Sequence, residues 1–166
     1  QKPAAAQAVI PAAPPAPLPN VVEPTVAQKP MPKRSDEITE RPAERTALEV
    51  FKQAGVARRA GRMREAAEGY KELVDRFPRD ARAGLCAFEL GRIRMDALSD
   101  DKGAIEALER ALQTGPRESY HEDAIARIVV ANDALGITEA CRRARARYLA
   151  SYPTGVHAHA LLVRCR

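Results

Sequence analysis

His157 and His159, with Cys165 downstream, are the one cluster in this chain with the types and order of metal ligands. Two histidines two positions apart on a helix diverge by about 200°, and a tetrahedral site would still want a fourth ligand that the sequence does not offer. They are expected as exposed terminal residues, with no metal and no cofactor. His121 is expected as a polar residue near a helix start. The serines, Ser35, Ser99, Ser119 and Ser151, fall in the leading segment, in turns or at helix ends, and none stands in a nucleophile-elbow motif. No glycine-rich phosphate loop and no paired-carboxylate arrangement is present, so no catalytic set and no enzyme is expected. Cys86 and Cys141 lie on apolar helical stripes, where a thiol acts as a small hydrophobe. All three cysteines are expected as structural filler, with a disulfide between two of them as the lesser alternative.

Arginines supply the other chemistry. Arg142, Arg143, Arg145 and Arg147 run together without aromatic interleaving, and Arg58, Arg59, Arg62 and Arg64 surround a turn beside Glu65 and Glu68. The formal charge is +5, but acids and bases are mixed along the chain, whereas nucleic-acid binders segregate their basic residues onto one face. A solvated outer face is the plain expectation, and nucleic acid is not the expected partner. No run of 18 apolar residues exists, so no membrane-spanning helix is expected; membrane attachment would come only through something upstream. The chain opens on Gln1 rather than Met, as expected of a processed chain or a piece of a longer one.

The elements that must position these residues divide at residue 42. Ten of the 13 prolines and none of the 9 glycines fall in residues 1–42. That stretch shows no helical or alternating period and reads as a disordered Pro/Ala-rich linker. Residues 43–166 carry helical stripes instead. Ala47, Val50, Phe51, Ala54 and Ala57 form the first stripe, in a helix that Pro42 would start and Gly61 would end. Ala66, Ala67, Tyr70, Leu73 and Val74 form the second, in a helix stopping before Pro78. The offsets return as Ala83, Cys86, Ala87, Leu90 and Ile93, with Asp80 as cap, and as Ala104, Ile105, Leu108, Ala111 and Leu112, after a slightly longer turn at Leu98–Asp101. They return again as His121, Ala124, Ile125, Ile128 and Ala131, closed by Leu135 and Gly136. In the sixth helix, burying Ala140, Cys141, Ala144 and Tyr148 avoids burying unpaired arginine, which fixes the register. A seventh helix is expected over 156–165, capping the rest. Pro78, Pro116 and Pro153 recur 38 and 37 residues apart, a period typical of helix-pair arrays.

Ala66, Tyr70 and Pro78 in AGRMREAAEGYKELVDRFP, and Leu90-Gly91 ahead of AIEALERALQTGP, resemble the tetratricopeptide repeat. The spacing exceeds the usual one and no Trp marks the first helices, as in the longer variants of bacterial envelope proteins, among them accessory subunits of outer-membrane assembly and of the Tol-Pal system. AFELGRIRMDAL, GAIEALERAL, HEDAIARIV and YLASYPTGVHAHA are similar to the C-terminal helical repeats that follow a FecR-type domain in some envelope regulators. The resemblance implies an all-α, right-handed α-solenoid of about three helix pairs plus a C-terminal capping helix. It further implies a non-enzymatic protein-interaction module of the bacterial periplasm or envelope. A cytoplasmic location is the alternative should an initiator Met precede Gln1.

If the resemblance holds, the concave face is lined by Leu48, Phe51, Arg58 and Arg59 from the first pair, Leu85, Phe88, Arg92 and Met95 from the second, and Asp123, Ala126 and Val130 from the third. An apolar strip with arginines at one rim suits an extended or helical peptide carrying acidic groups. The plainer reading of Phe51 and Phe88 is packing between helices. Two rival functions stay open: an oligomer-building module with no separate ligand, and a binder of an anionic polymer through the arginine clusters.

Overall fold

The computed structural model describes residues 45–114 and 119–166; the linker expected over 1–42, Pro42 and Pro116 lie outside them. Among the described residues there are seven helices and no strand: α1 (Ala47–Arg59), α2 (Met63–Arg76), α3 (Ala83–Leu98), α4 (Asp101–Gln113), α5 (His121–Ala134), α6 (Thr138–Ser151) and α7 (Ala158–Leu161). The chain is all-α. Each of the first six helices packs on the one that follows it in sequence.

Local chemistry sets the helix ends. Thr46 opens α1 with a capping box: the Thr46 N–H donates to Glu49 Oε2 at 2.8 Å, and the Glu49 N–H donates to Thr46 Oγ1 at 3.3 Å. The start expected at Pro42 is therefore displaced to Thr46. At the other end Gly61 adopts φ +74°, its N–H reaching Arg58 O at 3.0 Å and the Arg62 N–H reaching Ala57 O at 2.9 Å. This is the Schellman arrangement, which needs a left-handed residue at the position Gly61 fills. α5 ends identically: Gly136 has φ +69°, its N–H meets Asp133 O at 3.0 Å, and the Ile137 N–H meets Asn132 O at 2.9 Å. The α3 to α4 connection differs. Only Ser99 and Asp100 separate the two helices, so the turn is shorter than expected and the extra residues extend α3 to 16. Ser99 takes the left-handed conformation and Asp100 caps the Gly103 N–H at 2.9 Å. Asp80 does not cap α3 directly; its carboxylate accepts from the Arg82 N–H at 2.9 Å and from the Arg82 guanidinium at 2.7 Å, an Asx turn leading into the helix.

The helical stripes become the core. All five expected residues of α2, all five of α3 and all five of α5 are buried. In α4 Ala104, Leu108 and Ala111 are buried, with Ile105 and Leu112 packed at the margin. In α6 Cys141 and Tyr148 are fully buried while Arg142 and Arg143 point outward, in the register that spares the arginines. Small residues let the backbones close in. A Cβ on Gly91 would come within 2.6 Å of Leu108 Cγ and 3.2 Å of Ala104 O, so α4 lies against α3 only because position 91 has no side chain.

Two expectations fail at the C-terminus. α7 spans four residues rather than the whole of 156–165, and the chain then turns back, with Cys165 at φ +63°. There Cys165 bonds to Cys141, Cα to Cα 5.6 Å across 24 residues of sequence. Two of the three cysteines are thus a staple rather than filler. Cys86 alone stays free among them, and its burial pushes the thiol pKa up to about 12, as filler requires.

Candidate binding face

Residues expected to line one surface come from α1, α3 and α5. Leu48 and Leu85 are exposed apolar side chains. Phe51 is half-buried, tilted against Tyr70 at a centroid distance of 6.4 Å, with the Arg82 guanidinium 5.9 Å above its ring. Phe88 is buried and stacks on Tyr120 at 5.1 Å, so its ring packs between helices rather than standing free. Arg59 is exposed, and Arg58 and Arg92 are part-exposed beside Glu89.

Met95, Asp123, Ala126 and Val130 are brought together. With Arg127 and with His157, Ala160, Leu161 and Arg164 of the tail they enclose a recess of about 240 Å³. Its floor is aliphatic and its rim is charged. Arg127 is held by Asp96 at 2.8 Å and Asp123 at 2.9 Å; its guanidinium also lies 3.9 Å from Met95 Sδ. Arg164 pairs with Asp133 at 3.1 Å, and His157 Nε2 lies 3.3 Å from Asp123 Oδ1.

The wall contributed by the tail is fixed by polar contacts that sequence reasoning missed. Glu122 Oε1 accepts from the Tyr148 hydroxyl at 2.7 Å and from the Val156 N–H at 2.8 Å, and the Tyr148 oxygen accepts from the His157 N–H at 3.0 Å. Burial, and then the Glu122 carboxylate, push the Tyr148 pKa up to about 12. Asp133 accepts from the Cys165 N–H at 2.9 Å, which with Arg164 holds its carboxyl below the usual range. Arg145 leaves the basic run to donate to the Arg164 carbonyl at 2.5 Å. Nothing in the local pattern around Glu122 or Asp133 signals these roles, because their partners lie 26 or more residues away.

The remaining candidates scatter. His159 is exposed on α7, apart from the His157 pairing. Asp133, Cys141 and Cys165 cluster within 4.8 Å, but the sulfurs are bonded to each other and the carboxylate is taken by Cys165 and Arg164. Arg143 pairs with Glu139 at 3.1 Å and Arg147 with Glu109 at 3.3 Å, so neither cluster of arginines forms an unbroken basic surface. Arg62 likewise pairs with Glu65 at 2.6 Å. No protein-family model matches the chain, and no curated protein matches it.

Proposed function

We propose that the chain is a tetratricopeptide-like, right-handed stack of three helix pairs closed by its C-terminal tail, and that it binds a segment of another protein on the face formed by α1, α3 and α5. The observation that carries this reading is the recess bounded by Met95, Ala126, Val130 and Leu161, an apolar hollow of about 240 Å³ where α3, α5 and the tail meet. A hollow of that size accepts one or two aliphatic or aromatic side chains, the kind of anchor on which protein interfaces concentrate their affinity. Mixed charge around it favours a protein segment over a polyanion, since Glu89, Asp96 and Asp123 stand among the arginines and would repel a run of phosphates. Its work is display and binding, not catalysis.

The bacterial envelope is the compartment proposed. The Cys141–Cys165 bond supports it, because disulfides persist in oxidising compartments and are rare in a reducing cytosol.

A randomised 12-residue peptide display library selected on the full chain tests the binding reading. Peptides should be enriched, and Val130→Arg, which places a charge in the recess, should weaken them about tenfold or more. Absence of enrichment, or binding indifferent to Val130→Arg, contradicts the reading. Alkylation of cells before and after reduction tests the compartment: Cys141 and Cys165 should be labelled only after reduction.

A further inference from the structure

Arg58 of α1 and Arg92 of α3 converge on a single carboxylate. Glu89 Oε2 lies 3.4 Å from Arg58 Nη1, and Glu89 Oε1 lies 3.4 Å from Arg92 Nη1. Both are looser than the 2.7 Å of Arg82–Asp80 and Arg110–Asp75 and the 2.8 Å of Arg127–Asp96, and comparable to the 3.3 Å of Arg147–Glu109 and the 3.6 Å of Arg94–Asp100. Two guanidiniums sharing one anion leave one positive charge uncompensated. The Nε atoms of both arginines are buried without a hydrogen-bond partner. The carboxylate lies low, 14% exposed, while the guanidinium side chains reach solvent at 41% and 38%. Phe88 supports Arg92 from beneath, 5.8 Å from ring centroid to guanidinium carbon. On α3, Arg92 precedes Met95 by three residues, hence on the same side of the helix, so the cluster and the recess neighbour one another.

We propose that Arg58 and Arg92 form a carboxylate-recognition site, and that the partner is an acidic peptide segment that places an Asp or Glu side chain on the two guanidiniums and an aliphatic side chain, a few residues away, in the recess at Met95, Ala126 and Val130. This rests on the binding reading above and specifies its ligand. The incoming carboxylate supplies the second anion that two arginines require, with planar guanidiniums suited to bidentate contact. Glu89 acts as a resident competitor. It holds both side chains in place when the face is empty and weakens every acidic ligand when it is filled. The charge pattern also sets direction. The Arg58 and Arg92 end holds two cations on one anion, whereas around the recess Arg127 and Arg164 are met by Asp96, Asp123 and Asp133, so an acid is drawn to one end of the face and repelled from the other.

The probes are peptides enriched from the same 12-residue library, with affinities measured by fluorescence anisotropy on the full chain. The expected peptides share an Asp or Glu near an aliphatic residue. Arg58→Gln and Arg92→Gln should each weaken them about fivefold to tenfold, and an Asp→Asn or Glu→Gln exchange in the peptide should do the same on the native protein but little on the double variant. Glu89→Gln should tighten binding severalfold, a sign that a merely structural role for Glu89 would not produce. Peptides without an acid, basic peptides, or unchanged affinity in Glu89→Gln overturn the proposal, as does an oligonucleotide that competes more strongly than the peptides do. If Val130→Arg abolishes binding while the arginine variants do not, this proposal falls and the binding face stands. If nothing is enriched, both fall.

Discussion

From α1 to α5 the helices are held by close contact of small and aliphatic residues, while the tail after α6 is held by a disulfide, a buried tyrosine hydroxyl and an aspartate. In the first region Gly91 admits Leu108, and Ala54, Ala57, Ala66 and Ala104 are all but inaccessible, so the backbones approach and dispersion and burial supply the stability. In the second, α7 is four residues long and the apolar cluster is smaller, comprising Ile125, Ala126, Val129, Cys141, Tyr148, Leu161 and Cys165. A segment of that length cannot hold a helix by propensity alone. The Cys141–Cys165 bond and the Glu122 and Asp133 contacts do what packing does elsewhere. The difference teaches where the candidate site is vulnerable: the recess takes one wall from the region that packs poorly by itself.

The largest effect expected of a single change is in the first region. Leu108→Ala removes a fully buried side chain seated on Gly91 and should cost about 2–5 kcal/mol of global stability, read from denaturant unfolding. Next comes the staple. Replacing Cys141 and Cys165 by Ser frees a loop whose closure is worth roughly 3–4 kcal/mol on chain-entropy grounds. The loss should be regional: amide exchange should speed up in α6 and the tail and remain unchanged in α1 to α3, and uniform acceleration would erase the distinction between the regions.

Tyr148→Phe keeps the ring and removes the hydroxyl that joins Glu122 to the His157 N–H, with an expected cost of about 1–2 kcal/mol. The same hydroxyl has a pH signature. Its folded pKa, about 12, stands above the ordinary 10, so its contribution is complete below pH 10 and is lost as pH rises towards 12. Stability of the native chain should fall across that window, and Tyr148→Phe should flatten the fall. The smallest effect returns to the first region, where Thr46→Ala breaks the α1 capping box at about 1 kcal/mol, with fraying confined to the first turn of α1.

The difference between the regions also separates what could be read in the residues from what could not. The buried faces of α2, α3 and α5 follow a helical period in Ala, Leu, Ile, Tyr and Val, and such local patterns survive folding because each helix has one side to hide. The capping box at Thr46 and Glu49 went unread, because Pro42 offered a competing start. The tail was illegible for a physical reason. Cys165, Val156 and His157 find their partners at Cys141, Glu122 and Tyr148 through a chain reversal, and no periodicity encodes a non-local pairing. Four of the residues expected on the binding face, Met95, Asp123, Ala126 and Val130, do share one recess, since they lie on α3 and α5. The residues completing it, Leu161 and Arg164, belong to the part that could not be read.

The most direct measurement is a residue-level footprint, by NMR chemical shifts or amide exchange, of a library-selected peptide on the full-length, oxidised chain. Changes should concentrate at Arg58, Arg92, Met95, Ala126, Val130 and Leu161 on α1, α3, α5 and the tail. A footprint on the outward residues of α2, α4 and α6, such as Lys71, Glu106 and Arg143, would contradict the account.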